Sequence, residues 1–291
     1  MKIVVTGATG LLGGHAVKHF VSNGYEVIAV DQKDGEVPQG VKLIIGDATD
    51  LAFCDSVIAG SDAVIHLAAI PNPIEPRQFR VFQNNTVSTF SVFTAAAQAQ
   101  CKIVVYASSI SAYGTAYSDQ WTSPIYAPVD EKHPLIYEES YALAKEVNEL
   151  SALMWSRRCG TSFVGLRFPW TNTPAKTLEL ARRFQSEDSL PSDARFPNGI
   201  VAKILWTYLD LRDAVAALEC VVASEFVGAG VFNFAAPDTM ATDTTQSLME
   251  KFHPGTELRG DFSGHQAPLS SQLFTQTFGY SPQYLIDRCA I

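Results

Sequence analysis

A tyrosine and a lysine, Tyr141 and Lys145, stand four positions apart in an apolar, alanine-rich stretch. On a helix, residues with this spacing lie one turn apart on the same face, so both side chains can reach one pocket. A free phenol has a pKa of about 10, and a nearby ammonium group can lower it by about three units, or about 4 kcal/mol. The pair therefore predicts a phenolate that removes a proton from a substrate hydroxyl. An ordinary amphipathic surface helix could carry the same two residues.

A glycine-rich turn lies near the start of the chain, where Gly7, Gly10 and Gly13 follow one another at intervals of three. A β-branched run over residues 2–6 precedes the turn, and an apolar helical pattern follows it. Glycines between a strand and a helix let the backbone approach a pyrophosphate, and the helix N-terminus offers free N–H groups. The spacing therefore predicts a dinucleotide-binding turn, with a glycine-rich turn without a ligand as the alternative.

Two acidic residues follow at the ends of the next predicted strands. Asp31 ends the strand over residues 26–30 and lies 18 residues after Gly13, close to the roughly 20 expected for a ribose-binding carboxylate. Its charge would repel a 2′-phosphate, so we expect NAD rather than NADP, although Lys33 leaves some NADP use open. Asp47 could bind the adenine amino group, and capping of a helix near Asp50 is the alternative.

Small and polar residues follow two further predicted strands. The strand over residues 63–67 runs into Ala68 and Ala69, whose small side chains would let a cofactor pass over the strand end. His66 within that strand is predicted to be a core histidine. Ser109 follows the strand over residues 103–107. Because parallel strands place ligands at their carboxyl ends, we expect Ser109 and the helix of Tyr141 to share one crevice.

Composition limits the possible functions of this 291-residue chain. It is 47% hydrophobic and 18% charged, with a net charge of −9, which indicates a globular protein that binds neither nucleic acid nor an anionic membrane. Its five cysteines show no C-x-x-C spacing, so we expect neither a metal site nor disulfides. A strand pattern starts at once and no apolar run could span a bilayer, which predicts a soluble cytoplasmic protein.

Strand and helix patterns alternate over most of the chain and predict an α/β fold with a doubly wound parallel sheet. We assign residues 1–170, continued by about 201–234, to the cofactor-binding domain. A small C-terminal substrate lobe is predicted from about 171–200 and 235–291. The irregular segment 115–137 contains four aromatic residues and three prolines, and we expect it to form an ordered lid.

The motifs together resemble the extended short-chain dehydrogenase/reductase superfamily, in particular its NAD-dependent epimerase/dehydratase group. They are T-G-A-T-G-L-L-G at 6–13, Asp31, H-L-A-A at 66–69, Asn85, S-S-I-S-A-Y-G at 108–114, Y-A-L-A-K at 141–145 and L-R-F-P at 166–169. The resemblance covers residues 1–170 well and the remainder loosely. It implies a Rossmann fold and a homodimer formed through the helices near 77–99 and 138–158.

The resemblance also implies a role for each matching residue. Tyr141 would be the catalytic acid or base, Lys145 would lower its pKa and hold the nicotinamide ribose, and Ser109 would bind the reacting oxygen. The cofactor would be NAD, and no metal is expected. Its predicted binding residues are Gly7, Gly10, Leu11, Leu12, Gly13, Asp31, Asp47, Ala48, Leu67, Ala68, Ala69, Asn85, Ala107, Ser108, Tyr141, Lys145, Phe168 and Pro169.

The substrate is argued from departures from the family pattern. Ser109, Ile110 and Ser111 replace the Thr-Asp-Glu of the 4,6-dehydratases, which argues against dehydration. Trp206 stands where UDP-hexose 4-epimerases carry an arginine that binds the diphosphate, and an indole cannot neutralise that group. The main prediction is therefore an NAD-dependent dehydrogenase acting on a secondary hydroxyl of a small sugar, sugar acid or hydroxy acid. The alternative is a UDP-hexose 4-epimerase.

A non-catalytic NAD-binding regulator is the third possibility, ranked last because the Ser109, Tyr141 and Lys145 set is intact. The substrate would be a small carbohydrate-like molecule. Several cationic side chains could bind it, without a choice among them: Arg77, Arg80, His133, Arg195 and Arg212.

Overall fold

A seven-stranded parallel sheet forms the centre of the computed structural model, which describes residues 1–73, 78–186 and 200–291 and, within them, no side chains at 185 and 186. Its strands are β1 Lys2–Thr6, β2 Glu26–Asp31, β3 Lys42–Ile45, β4 Ala63–His66, β5 Ile103–Ser109, β7 Ser162–Phe168 and β10 Ala229–Asn233. They lie in the order β3-β2-β1-β4-β5-β7-β10, and each neighbouring pair is parallel. This confirms the predicted Rossmann-type fold.

Helices cover both faces of the sheet. The described helices are α1 Leu11–Ser22, α2 Leu51–Ile58, α3 Gln78–Gln98, α4 Ser140–Ser156, α5 Pro174–Ser186, α6 Ile200–Lys203, α7 Leu211–Val222, α8 Thr245–Phe252 and α9 Gln272–Phe278, with short 3₁₀ turns at Ile110–Tyr113 and Arg288–Ala290. Helices α1 and α7 pack together on one face, and α2, α3 and α4 pack on the other.

Alternation along each strand explains the two layers. Ile3 and Val5 of β1 belong to the same apolar cluster as Phe20 of α1. Val4, between them, belongs to the opposite cluster with Phe93 of α3. Because successive side chains of a strand point to opposite faces, a strand covered on both sides must be apolar throughout, as β1 is.

A third apolar cluster joins residues 110–129 to the C-terminal part of the chain and includes Tyr113, Trp206, Tyr208, Met240 and Leu248. Two short parallel pairs accompany it, β6 Tyr126–Ala127 with β11 Glu257–Leu258 and β8 Trp170–Asn172 with β9 Tyr208–Asp210. Residues 187–199 of the predicted lobe lie outside the described residues. The division of the chain into a cofactor domain and a lobe stays a prediction.

The segment 115–137 is ordered by this third cluster. Its Trp121 ring stacks on Phe252 at 6.2 Å between centroids, and the indole N–H donates to the Phe252 carbonyl at 2.7 Å. Val129 forms an isolated bridge with Leu269. These contacts hold the segment against the C-terminal part of the chain.

The chain turns sharply between α6 and β9. Leu205 and Trp206 have positive φ angles of 57° and 54°, and the Trp206 N–H donates to the Val201 carbonyl at 2.8 Å. The backbone therefore closes the end of α6 with a left-handed turn, and only Tyr208–Asp210 is extended. No helix among residues 1–73, 78–186 and 200–291 has the length and apolar character needed to cross a membrane.

Candidate active site

Helix α4 brings Tyr141 and Lys145 to one place. The carboxylate of Glu139 caps the helix by accepting hydrogen bonds from the backbone N–H groups of Tyr141 and Ala142, which fixes the first turn. Tyr141 is 8% exposed and Lys145 is 3% exposed. The Lys145 ammonium lies 5.2 Å from the centre of the Tyr141 ring and donates to the Ala107 carbonyl at 2.6 Å.

Ser109 reaches the same place from the carboxyl end of β5. Its hydroxyl lies close enough to the side chain of Tyr141 to favour the phenolate form. It also accepts from the Ser111 backbone N–H at 3.1 Å and donates to the Ser111 hydroxyl at 3.0 Å, which fixes its direction. The structure therefore brings the three predicted catalytic side chains together at the end of β5.

Burial has the largest effect on the pKa values of Tyr141 and Lys145. It raises the pKa of Tyr141 above its usual value, the neighbouring Tyr117 raises it further, and the polar side chain of Ser109 opposes both effects. Burial also lowers the pKa of Lys145 to about 8, against the charge of Glu149, which raises it. The expected lowering of the Tyr141 pKa by Lys145 stays a prediction.

Tyr117 is a neighbour that the sequence did not indicate. Its ring meets the Tyr141 ring edge-on, with 6.1 Å between centroids and 89° between planes. Burial raises the pKa of Tyr117 to about 12, so its phenol is neutral at physiological pH. The hydroxyl forms no hydrogen bond with the described part of the chain. A second phenol therefore lines the space beside Tyr141.

A cleft of about 450 Å³ lies over the carboxyl ends of β1, β2 and β4. Seven of the predicted cofactor residues line it: Gly7, Gly10, Asp31, Ala48, Leu67, Ala68 and Ala69. Three residues of α3 also line it: Arg80, which the sequence analysis considered for the substrate, and Asn84 and Ser88, which it did not indicate. The α3 pattern did not indicate Asn84 and Ser88, because a polar helix face is usually only solvated.

The geometry of this cleft fits a dinucleotide. Gly7 has φ +69°, and a Cβ there would lie 2.7 Å from the Ala68 backbone nitrogen, so the two loops meet at backbone distance. No side chain caps α1 at Gly10, which leaves the helix N-terminus available to an anion. Asp31 accepts from the Thr9 N–H at 2.9 Å at the β2 end of the cleft.

Several predicted cofactor residues have their side chains engaged elsewhere. Ser108 donates to Glu149 at 2.6 Å inside the protein, and Asn85 bonds to both the N–H and the carbonyl of Ile70 at 2.8 and 2.9 Å. Asp47 accepts from the Thr49 N–H at 2.8 Å. Their roles toward the cofactor stay predictions.

The remaining predicted cofactor residues are mostly apolar. Phe168 is buried in the cluster around α1, Leu12 packs against that cluster, and Leu11 is half exposed. Gly13 lies within α1 behind Gly7, and the Pro169 carbonyl accepts from the Thr171 hydroxyl at 3.0 Å. Contact between these residues and NAD stays a prediction.

His66 lies in the core, as expected. Its ring nitrogens are hydrogen-bonded to the hydroxyls of Thr6 at 2.8 Å and Thr89 at 3.0 Å. Burial, with a smaller effect of the Lys145 charge, lowers the pKa of His66 to about 3, so the ring is neutral.

The candidate substrate cations are dispersed. Arg77 and Arg195 lie outside the described residues, and Arg80 lines the cofactor cleft. Arg212 pairs with Asp210 at 2.8 Å and lies over the Tyr284 ring at 3.7 Å. His133 accepts from the Ile125 N–H at 2.9 Å.

In the described part of the chain, no group of three or more histidine, cysteine, aspartate or glutamate side chains could hold a metal ion.

Comparisons with known proteins agree with this geometry. The chain is similar to a UDP-glucose 4-epimerase of Pisum sativum, 31% identical over 134 residues, which are 39% of this chain and 38% of the relative. It is 27% identical over 178 residues to a UDP-glucose 4-epimerase of Lactobacillus helveticus, covering 58% of this chain and 51% of that relative. The chain therefore matches about half or less of the length of these relatives.

A solved structure shares the fold over the whole chain. It is a short-chain dehydrogenase/reductase superfamily protein from Agrobacterium tumefaciens with bound NAD, with a TM-score of 0.73, 22% identity and coverage of 100% of this chain and 95% of that one. Residues 3–186, more than half of the chain, match the NAD dependent epimerase/dehydratase family. The resemblance is thus confirmed, with NAD as the cofactor: the chain belongs to the NAD-dependent epimerase/dehydratase family of enzymes.

Proposed function

We propose that this protein is an NAD-dependent nucleotide-sugar 4-epimerase that acts on a UDP-hexose. The observation that carries the proposal is the meeting of Ser109, Tyr141 and Lys145 at the carboxyl end of β5. The similarity to two UDP-glucose 4-epimerases supports this substrate class.

The three side chains can divide the proton chemistry among them. The side chains of Ser109 and Tyr141 lie close together at the end of β5, so both hydroxyls can contact the same sugar oxygen. Tyr141 takes the proton from the sugar hydroxyl as a ketone forms, and returns it when the hydroxyl is restored. The ammonium of Lys145 favours the phenolate form of Tyr141 because opposite charges attract strongly in a buried site. NAD, when bound, supplies the hydride acceptor for this oxidation.

The cofactor would be held along the cleft over β1, β2 and β4. Gly7, Gly10 and the start of α1 would bind its pyrophosphate, and Asp31 would bind the adenosine ribose. Lys145 would bind the nicotinamide ribose. Burial of Tyr141 and Lys145 excludes water from the reacting group, which strengthens each electrostatic contact there.

A second candidate function is a dehydrogenase that releases NADH after oxidising a free sugar or sugar acid. Trp206 favours it, because this residue is fully buried between Phe184, Phe252 and His253 and occupies the sequence position of the epimerase arginine. An indole in that core offers no positive charge to a diphosphate.

The two functions differ in whether NADH is released from the protein after the sugar is oxidised. The test incubates the protein and NAD with UDP-glucose, UDP-galactose, free hexoses and hexuronic acids, following NADH absorbance and sugar interconversion by chromatography. Interconversion of UDP-hexoses without stoichiometric NADH supports the epimerase. Stoichiometric NADH from a free sugar or acid would overturn it in favour of the dehydrogenase.

A substitution tests the residue assignment in the same assay. Tyr141→Phe should lower turnover by at least about 100-fold, the usual scale for loss of a general acid–base group, while NAD binding stays nearly unchanged. Full turnover in this variant would refute Tyr141 as the base.

The homodimer stays part of the proposal. Helices α3 and α4, through which the family resemblance implies dimerisation, expose apolar side chains at Phe90, Leu143, Leu150 and Leu153. Sedimentation equilibrium would test it, and a monomer at micromolar concentration would contradict it.

A further inference from the structure

A buried ion pair lies directly beneath the candidate catalytic residues. Glu149 of α4 and Arg167 of β7 are joined by two hydrogen bonds, from Nε to Oε1 at 2.9 Å and from Nη2 to Oε2 at 2.6 Å. Their side chains are 8% and 6% exposed. Removing two charges from water is costly, and a hydrophobic pair of similar volume is often as stable. The fold therefore does not need this pair merely to fill space.

Further hydrogen bonds extend the pair into a network. The Ser108 hydroxyl donates to Glu149 at 2.6 Å, and Arg167 donates to the Tyr113 hydroxyl at 2.8 Å. Tyr113 in turn donates to Asn233 of β10 at 2.7 Å. The network thus joins α4, β5, β7, β10 and the 3₁₀ turn at Ile110–Tyr113.

Two members of the network, Glu149 and Ser108, lie beside candidate catalytic residues. Glu149 follows Lys145 by one turn of α4, so both side chains lie on one helix face. Ser108 is the neighbour of Ser109 in β5. Through these links the network fixes α4 relative to the end of β5, where Ser109 meets Tyr141.

We propose that Glu149, held by Arg167, is a positioning residue that keeps Lys145 in its ammonium form at the end of β5. The inference rests on the proposed function for the catalytic use of Lys145. The effect of the Glu149 charge on Lys145 is separate from that function, because it depends on the spacing of the two residues in α4 and on their burial.

The other groups around Lys145 do not supply the negative charge. His66 faces it from β4 as a neutral ring, and Tyr141 lies on the same helix as a buried phenol. Tyr106 of β5 and Tyr113 are also buried, and burial raises the pKa of each, so both are neutral. Arg167 is positive. Glu149 is therefore the anion that opposes the effect of burial on Lys145.

The test measures the protonation of Lys145 directly by NMR of protein labelled with ¹³C at lysine Cε, with Lys145→Met identifying its signal. We expect a midpoint near pH 8 in the unchanged protein. In Glu149→Gln the midpoint should fall by about one unit, the scale expected for loss of one opposite charge about a helical turn away. An unchanged midpoint would overturn the inference.

Ser108→Ala provides a matched control, because it removes one hydrogen bond to Glu149 and leaves the charge. Its midpoint should stay within about 0.3 units of the unchanged protein, since no charge is removed. A fall equal to that of Glu149→Gln would overturn the inference, because packing rather than charge would then be responsible. If Glu149→Gln does not fold, the double variant Glu149→Gln, Arg167→Met is compared with Arg167→Met, and the difference between their two midpoints gives the effect of the Glu149 charge.

Turnover against pH then separates this inference from the proposed function. With a fall in the NMR midpoint, the alkaline loss of turnover should move to lower pH by the same amount. A fall in the midpoint without that movement would confirm the charge relation and overturn the use of Lys145 in the proposed catalysis.

Discussion

Replacing Gly13 by alanine should disrupt the cofactor loop. A Cβ at Gly13 would lie 2.0 Å from the Gly7 carbonyl oxygen, whereas ordinary van der Waals contact begins near 3.4 Å. The loop would have to move by about 1.4 Å, the difference between these two distances. Overpacking of this kind costs about 1–3 kcal/mol. Because Gly7 lines the cleft, we expect the Kd for NAD to rise at least tenfold, which is about 1.4 kcal/mol.

The next residue provides the control. A Cβ at Gly14 would lie 3.7 Å from the Ala8 carbonyl oxygen, an ordinary contact, and Gly14 lies in α1. Gly14→Ala should therefore leave NAD binding unchanged and stabilise the fold by up to about 1 kcal/mol. Isothermal titration with NAD and thermal unfolding of both variants measure the two effects. Wild-type NAD affinity in Gly13→Ala would refute the close packing of the loop.

Three further predictions concern charge and contact in the site. Asp31→Ala should weaken NAD more than NADP because the carboxylate faces the cleft, and an equal loss measured by titration would contradict the NAD preference. Turnover should fall above pH 8, since the proton leaves Lys145 as pH rises through its pKa of about 8, and a flat profile to pH 10 would contradict this role. Tyr117→Phe should lower kcat/KM about threefold to tenfold through loss of one hydrogen bond to substrate, whereas Tyr126→Phe, whose hydroxyl bonds to Asp130, should not.

Local patterns predicted the cofactor half of the fold well. The β-branched run of β1, the glycine turn and the strand that ends at Asp31 are each determined by neighbours in sequence, and the structure places them as expected. The helix of Tyr141 and Lys145 was also predicted, because its apolar face lies within one stretch. The positions of residues that depend on a single strand, turn or helix can therefore be predicted from the sequence.

The positions of side chains that depend on contacts with residues distant in sequence could not be predicted from local patterns. Asn84 lines the cleft while the adjacent Asn85 holds the Ile70 backbone, and only the packing of α3 beside β4 decides between them. Tyr117 reaches Tyr141 because the irregular segment folds against the C-terminal part of the chain. Neither contact has a local sequence pattern.

The substrate class likewise cannot be predicted from Trp206 alone. The family motif has a diphosphate-binding arginine at its position, but a left-handed turn after α6 places its ring in the third apolar cluster. The residue therefore contributes to folding, and its identity removes one charge without adding a substrate contact. Any cation that binds a substrate anion must come from another position, and among the described residues Arg212 already pairs with Asp210. Substrate class consequently depends on contacts that residue 206 does not make, and the NADH release assay is a more direct test of it than the sequence motif.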